Sequence, residues 1–323
     1  MSSSLDRAAI DWLLSSTEPG VRFLTRRDLV GESPSSPAMA ALSKRIHRGP
    51  KASALLAFEN VDFYTRWRGA HWRLISLVEL GLPATNKPAQ ATCSDVVDIW
   101  VRRLQRFPAR VVNGRVRRHA SMEGHALVVA SSLGMAKDER VALLAESLLA
   151  WQWPDGGWNC DSKATHRSSF HESLVPTWGL LEYYRQTKEP RCLEAVTRAA
   201  ELFLEHHLWR TTKTMQPIHR DFGQLHWPAY WRYDFLQAMR VLEPLGVLSD
   251  PRCDDAFELL VSKRKADGRW GADKHWWFPP GSKARARFEA VDWEIVSDQM
   301  ITLNALRADR ARRRKKGALA RGR

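Results

Sequence analysis

The chain has 323 residues, 44% of them hydrophobic, with 15 tryptophans and a formal net charge of +14. That apolar content can fill a large core, and no run of 18 apolar residues is present to span a membrane. Cys93, Cys160, Cys192 and Cys253 are scattered, with no Cys-x-x-Cys pair, which argues against a disulfide framework and fits a reducing cytoplasm.

The charge is uneven. Residues 307–323 hold nine Lys/Arg against the single acid Asp309, a net +8, and the rest of the chain carries only +6. This basic stretch is expected to be a disordered tail following one domain over residues 1–306. It is the part with the charge to meet nucleic acid or anionic lipid, the latter allowing a peripheral membrane association. The opening Met-Ser-Ser-Ser-Leu-Asp has neither the basic start nor the apolar block of a secretory leader, so none is expected. Nothing in the pattern specifies an oligomeric state.

Helical periodicity dominates from the start, and strand-like alternation is scarce. Residues 5–16 and 20–30 read as short helices broken at Glu18-Pro19-Gly20, and 37–47 and 51–58 as a second pair separated by Gly49-Pro50. Segments near 68–80, 121–134, 169–185, 229–245 and 291–307 then open with polar or aromatic residues and turn apolar. Amphipathic segments near 92–106, 138–151, 191–206 and 251–264 lie between them, and the first group recurs at roughly 50–60 residues, a helix-pair period. Ser169 with Glu172 has capping-box spacing, Ser121 is placed to cap the next helix upstream, and Asp250-Pro251 puts a capping acid before a proline at the first helical position. Pro176, beyond the first turn of its segment, is expected to kink that helix or shift its true start. Stretches 107–120, 207–229 and 271–290 are long for connectors, as functional loops are.

One turn carries more information than the rest. Trp151-Gln152-Trp153-Pro154-Asp155-Gly156-Gly157-Trp158-Asn159-Cys160-Asp161 closes an apolar helical segment with the order Gln-x-x-x-Gly-x-Trp. The glycines permit a sharp reversal at a helix C-terminus, the glutamine can bond free backbone groups, and the indole can seal the joint to the next helix. A degraded copy lies 112 residues later, where Gly268 and Trp270 are kept and Arg264 replaces the glutamine.

Alternating helices joined by this turn resemble the all-α, α/α toroid of squalene–hopene and oxidosqualene cyclases and of protein prenyltransferase β-subunits. The turn looks like the QW repeat of the cyclases. The stretches Gln152 to Asp161, Ser168 to Tyr184, Leu225 to Met239 and Ser262 to Trp270 resemble the bacterial prenyltransferase/squalene-cyclase-repeat proteins more closely. The resemblance implies five or six helix pairs, with the N-terminal ends of the inner helices facing a shared cavity. On that frame His71, Trp72, His125, His171, Trp231, Tyr233, Asp234 and Trp293 are candidate ligand-binding residues for a hydrophobic, isoprenoid-like molecule. Arg73, Arg167 and Arg232 are candidates for holding its anionic end, on a basic rim that includes His166.

Neither family's catalytic motif is present. No Asp-x-Asp-Asp acid occurs, so a cyclase would need a substitute, and Glu123, Asp161 and Glu172 are the candidate proton donors. Each also has an ordinary reading, as a first-turn acid, a loop cap and a capping box. The Asp-x-Cys zinc motif of prenyltransferases is replaced by Phe170-His171-Glu172. A site recombined from Cys160, Asp161 and His171 would be the nearest substitute, and no metal or other cofactor is expected. Glycosidases on α/α barrels use paired carboxylates, for which Glu123, Asp161, Glu172, Asp234 and Glu294 are available. The competing class is a non-enzymatic scaffold that binds an anionic partner through its basic mouth and tail. No P-loop, Gly-x-Ser-x-Gly or dinucleotide fingerprint occurs.

Overall fold

The computed structural model describes residues 4–163, 167–282 and 288–321, with side chains described as far as residue 314. It is mostly helical, as the periodicity requires. The first helices are α1 (Ser4–Leu14), α2 (Pro19–Thr25), α3 (Pro37–Arg45) and α4 (Pro50–Leu56). Next come α5 (Ala70–Glu79), α6 (Lys87–Arg106), α7 (Ala120–Ser132), α8 (Glu139–Trp151), α9 (Phe170–Thr187) and α10 (Pro190–Glu205). The chain ends with α11 (Phe235–Leu242), α12 (Asp254–Ser262) and α13 (Glu294–Arg321).

Four of the expected segments differ in detail. Within 107–120 a hairpin forms, β1 (Arg110–Val112) against β2 (Arg115–Arg117), with Val111 opposite Val116. Its turn is Asn113-Gly114, both at positive φ, the pair best suited to a tight hairpin. The 229–245 segment becomes helical only at Phe235, because Asp234 accepts from the Gln237 amide (2.8 Å) and sets the N-terminus there. Ser121 lies inside α7 rather than capping it, and His119 takes the N-cap position. Pro176 sits inside α9 without ending it.

The helices of the first group pack in chain order: α5 on α7, α7 on α9, α9 on α11 and α11 on α13, with α13 also against α1 and α2. α6 and α8 each lie against the two helices they separate, and α10 lies against α9 and α8. The α7–α9 contact is the most intimate. A Cβ on Gly124 would lie 2.8 Å from the Pro176 nitrogen, and one on Gly179 would lie 2.8 Å from the Gly124 carbonyl.

The two glycine turns have the same construction. Gln152 Nε2 donates to the carbonyls of Gly156 and Ala195, both at 2.8 Å, and Trp158 Nε1 donates to the Leu148 carbonyl at 2.9 Å. In the copy, Arg264 Nε donates to the Gly268 carbonyl (3.0 Å) and Trp270 Nε1 to the Leu260 carbonyl (2.7 Å), so arginine does the glutamine's work. Ser173 and Thr302 hydroxyls accept from the amides of Trp158 and Trp270, respectively. Gly156 and Gly268 both have positive φ, and each abuts a foreign backbone carbonyl, Arg198 in α10 and Leu5 in α1.

The expected boundary at 306 falls inside a helix. α13 runs on to Arg321, and Arg307, Arg310 and Arg312 contact Glu243, the Leu29 carbonyl and Asp254. These basic residues are held because acids and a helix-end carbonyl from the body face α13. Among the described residues, no helix is long and apolar enough to cross a membrane.

Candidate functional site

The N-terminal ends of α7 and α9 lie side by side and bring together a thiol, an imidazole and a carboxylate. The glycine turn positions the first of them. Buried Trp158 accepts from the Ser169 amide (2.8 Å), Asn159 Nδ2 donates to the Arg167 carbonyl (2.8 Å), and the Asn159 carbonyl accepts from the Arg118 amide (3.2 Å). These bonds place Cys160 beside His119, which caps no backbone group with its ring. His119 Nδ1 lies 3.0 Å from Glu172 Oε1, and Glu172 Oε2 accepts from the Ser121 amide at 3.0 Å. One donor atom from each of His119, Cys160 and Glu172 falls within 4.8 Å of the others.

The electrostatics of the three are mutually supporting. Hydrogen bonds to Cys160 and then to Glu172 push the His119 imidazole up to about 10. Burial alone would raise the Glu172 carboxyl, but the bonds from His119 and the Ser121 amide outweigh it and hold the group below its ordinary range. Glu172 is therefore an ionised acceptor and cannot be the proton donor expected of it. Ser169 does cap α9 through the Glu172 amide, yet the Glu172 side chain reaches across to α7 and completes no capping box.

A cleft of about 140 Å³ opens beside His119, between Trp100, Arg103, Phe107, Arg118, Met122 and Glu123. The Arg103 guanidinium lies over Trp100 at 5.4 Å, so the cleft has an apolar wall with cationic rims. Glu123 is 3% exposed, and burial pushes its carboxyl up to about 7, against the opposing pull of Arg118 3.6 Å away. Its Oε2 has no hydrogen-bond partner. Of the three candidate acids, Glu123 has the environment a proton donor needs. Asp161 does not. It is exposed and its Oδ1 accepts from the Lys163 amide (3.0 Å), so nothing removes it from water.

The aromatic openings are filled rather than hollow. Trp67 stacks on Tyr230 at 4.1 Å, Trp72 meets both rings edge-on, and Trp72 Nε1 donates to the Tyr64 carbonyl. His71 accepts from Trp100 Nε1 (3.2 Å) and faces His125, 5.5 Å away between ring centres. Burial drives both imidazoles down, His125 to about 3, so they are neutral core groups. The space among His125, Val175, Tyr230 and Arg240 is about 10 Å³, room for one water at most. The open cavity expected at these helix starts is thus closed by its own lining.

The remaining candidates form a second packed group. His171 Nδ1 accepts from the Tyr233 amide (2.9 Å), and burial lowers the imidazole to about 4. Trp231 stands edge-on to His171, and buried Asp234 pairs with His226 at 2.9 Å. Trp293 is fully buried against Trp227. Arg73 is unsuited to binding an anion from solution, because it is 2% exposed and its nitrogens bond the carbonyls of Ala54, Ala57 and Arg68 and the carboxylate of Glu59. Arg232 lies between Trp231 and Trp276, Arg167 is exposed, and His166 lies outside the described residues. In the 271–290 stretch, Trp276-Trp277-Phe278 forms an aromatic segment that docks on the body, with Trp277 Nε1 donating to the Trp227 carbonyl.

Sequence reasoning picked out Cys160 but gave it Asp161 and His171 as partners. His119 was missed because it sits in a stretch expected to be irregular. One signal was available: both Cys160 and His119 stand just ahead of a first-group helix. No protein-family model, curated protein or solved structure matches this chain.

Proposed function

We propose that the helices close into an α/α toroid, and that the protein acts on a hydrophobic, isoprenoid-like molecule with an anionic head at the cleft beside His119. The observation that carries this reading is the cluster of His119, Cys160 and Glu172 at that cleft. The toroid is supported by the packing of α5, α7, α9, α11 and α13 in series, with α13 returning to α1 and α2. The apolar wall of Trp100, Phe107 and Met122 suits a hydrocarbon, and Arg103 and Arg118 suit a phosphate or carboxylate.

The cluster fits a zinc-type ion. Tetrahedral zinc with bonds of roughly 2.0–2.3 Å needs donors about 3.5 Å apart, a small contraction from the separations present. Sulfur, nitrogen and an ionised carboxylate are the donor types zinc takes, and three protein ligands leave one position open. Such an ion would supply Lewis-acid stabilisation of an anionic leaving or attacking group. Around it, Arg103 and Arg118 would hold the anionic head, and Glu123 would hold or release a proton near neutral pH.

Elemental analysis of the purified full chain should find one zinc per molecule, lost in Cys160→Ser. Tryptophan-fluorescence titration with farnesyl diphosphate should saturate, and Arg103→Gln should weaken binding about tenfold, the loss of one charge-assisted bond. Absence of saturable binding would defeat the isoprenoid reading.

A second reading is favoured by the bonding of His119 to both Cys160 and Glu172. In a metal-free site His119, hydrogen-bonded to Cys160 and held by Glu172, would be placed as the base beside a cysteine nucleophile. Burial pushes the Cys93, Cys192 and Cys253 thiols up to about 12, so iodoacetamide at neutral pH should label Cys160 alone. Bound zinc would block that labelling.

A further inference from the structure

A cavity roomier than the cleft at His119 lies at the other end of the same helices. It holds about 340 Å³ and is bounded by the later turns of α5, α9 and α11, the middle of α13, and the end of α2. Its volume is in the range of small-molecule sites. Its floor is the pair of Arg240 and Glu79, 3.3 Å apart, with the Arg240 guanidinium lying 4.1 Å over the Trp178 ring. That floor separates the cavity from the packed aromatic centre.

Two donors on its wall have no acceptor. Asn304 is 3% exposed and its Nδ2 makes no hydrogen bond, and the Nε of Arg307 is likewise buried and unsatisfied. A buried donor left unpaired costs about 1–3 kcal/mol, so such groups mark a place for an acceptor. Arg27 and Arg185 extend the lining outward, and each guanidinium of the lining faces a carboxylate: Arg27 Asp28, Arg185 Glu182, Arg240 Glu79, and Arg307 both Asp28 and Glu243. The unmet demand is for acceptor oxygens at Asn304 Nδ2 and Arg307 Nε.

We propose that this cavity binds a small oxyanion ligand, a phosphate- or carboxylate-bearing molecule, through Asn304, Arg307 and Arg185. The site is separate from the cleft at His119, and its occupancy does not require chemistry there. It makes the two ends of the helix set different in kind: a cleft beside the His119, Cys160 and Glu172 cluster at one, and a charged polar pocket at the other.

Isothermal titration of the full chain with inorganic phosphate, pyrophosphate and citrate tests this, with trehalose as the neutral control. At least one anion should bind with Kd below about 1 mM, and trehalose should not. The phosphate and citrate arms separate the two ligand types. Asn304→Leu should weaken binding at least tenfold, and Arg185→Gln, a half-exposed position that cannot disturb the core, should weaken it severalfold. Cys160→Ser and Arg103→Gln should leave it unchanged, which keeps this test apart from that of the cleft. Failure of all three anions to bind at about 10 mM, or binding indifferent to both pocket variants, overturns the proposal. So does binding that Arg103→Gln abolishes.

Discussion

Replacing Glu123 with glutamine should change how stability depends on pH. Burial raises the Glu123 carboxyl from an ordinary 4.5 to about 7, so the folded chain holds this proton more tightly than the unfolded chain. Stability is then greatest below 4.5, falls as pH rises, and has lost the full increment above about 7. At about 1.4 kcal/mol for each tenfold difference in proton affinity, the loss is about 3 kcal/mol. Glutamine keeps the shape and does not ionise. The Glu123→Gln chain should therefore gain about 3 kcal/mol relative to the parent between pH 5 and pH 8. Urea unfolding at half-unit pH steps measures this, and titrations common to both chains largely cancel in the difference. If the two stability curves run parallel from pH 5 to pH 8, the carboxyl is not desolvated as described and its suitability as a proton donor goes with it.

Three further outcomes follow from the glycine turns. Gly156→Ala combines φ +90 with a Cβ 2.3 Å from the Arg198 carbonyl and should cost about 3 kcal/mol or more, whereas Gly114→Ala, at φ +70 in open space, should cost about 1 kcal/mol in thermal or urea unfolding. Equal costs would mean that the close approach to α10 is not real. Trp158→Phe removes both the bond to the Leu148 carbonyl and one ring of a fully buried indole, and should cost about 3 kcal/mol by urea unfolding. Arg264→Gln restores the residue of the better turn but breaks the 2.7 Å pair with buried Asp6, so thermal or urea unfolding should show a net loss of about 2–3 kcal/mol.

Much of the helical order could be read from local pattern. Apolar spacing found α8, α9 and α10 nearly to the residue, and Gly-x-Trp identified two turns that have the same bonds in the structure. Tertiary relations escaped. The Ser169/Glu172 spacing was genuine, but a glutamate that can reach either its own N-cap or a neighbouring helix is decided by what that helix offers, here the Ser121 amide and His119. The aromatic openings were correctly located, but sequence periodicity carries no information on whether rings line a space or fill it. Asn113-Gly114 was a readable turn signal, overlooked because the flanking strands are only three residues each.

The seam between the first and last helices has a bearing on how the protein is made. Arg264 reaches Asp6, Ser16 donates to Gln299 across 283 positions, and Gly268 lies against Leu5. An emerging nascent chain has α1 and α2 long before it has their partners, so the apolar face that α13 covers stays wet until synthesis is almost finished. Contacts at such separation close late and slow the search for the native state. Trimming the first turn of α1 should consequently loosen the packing of α13.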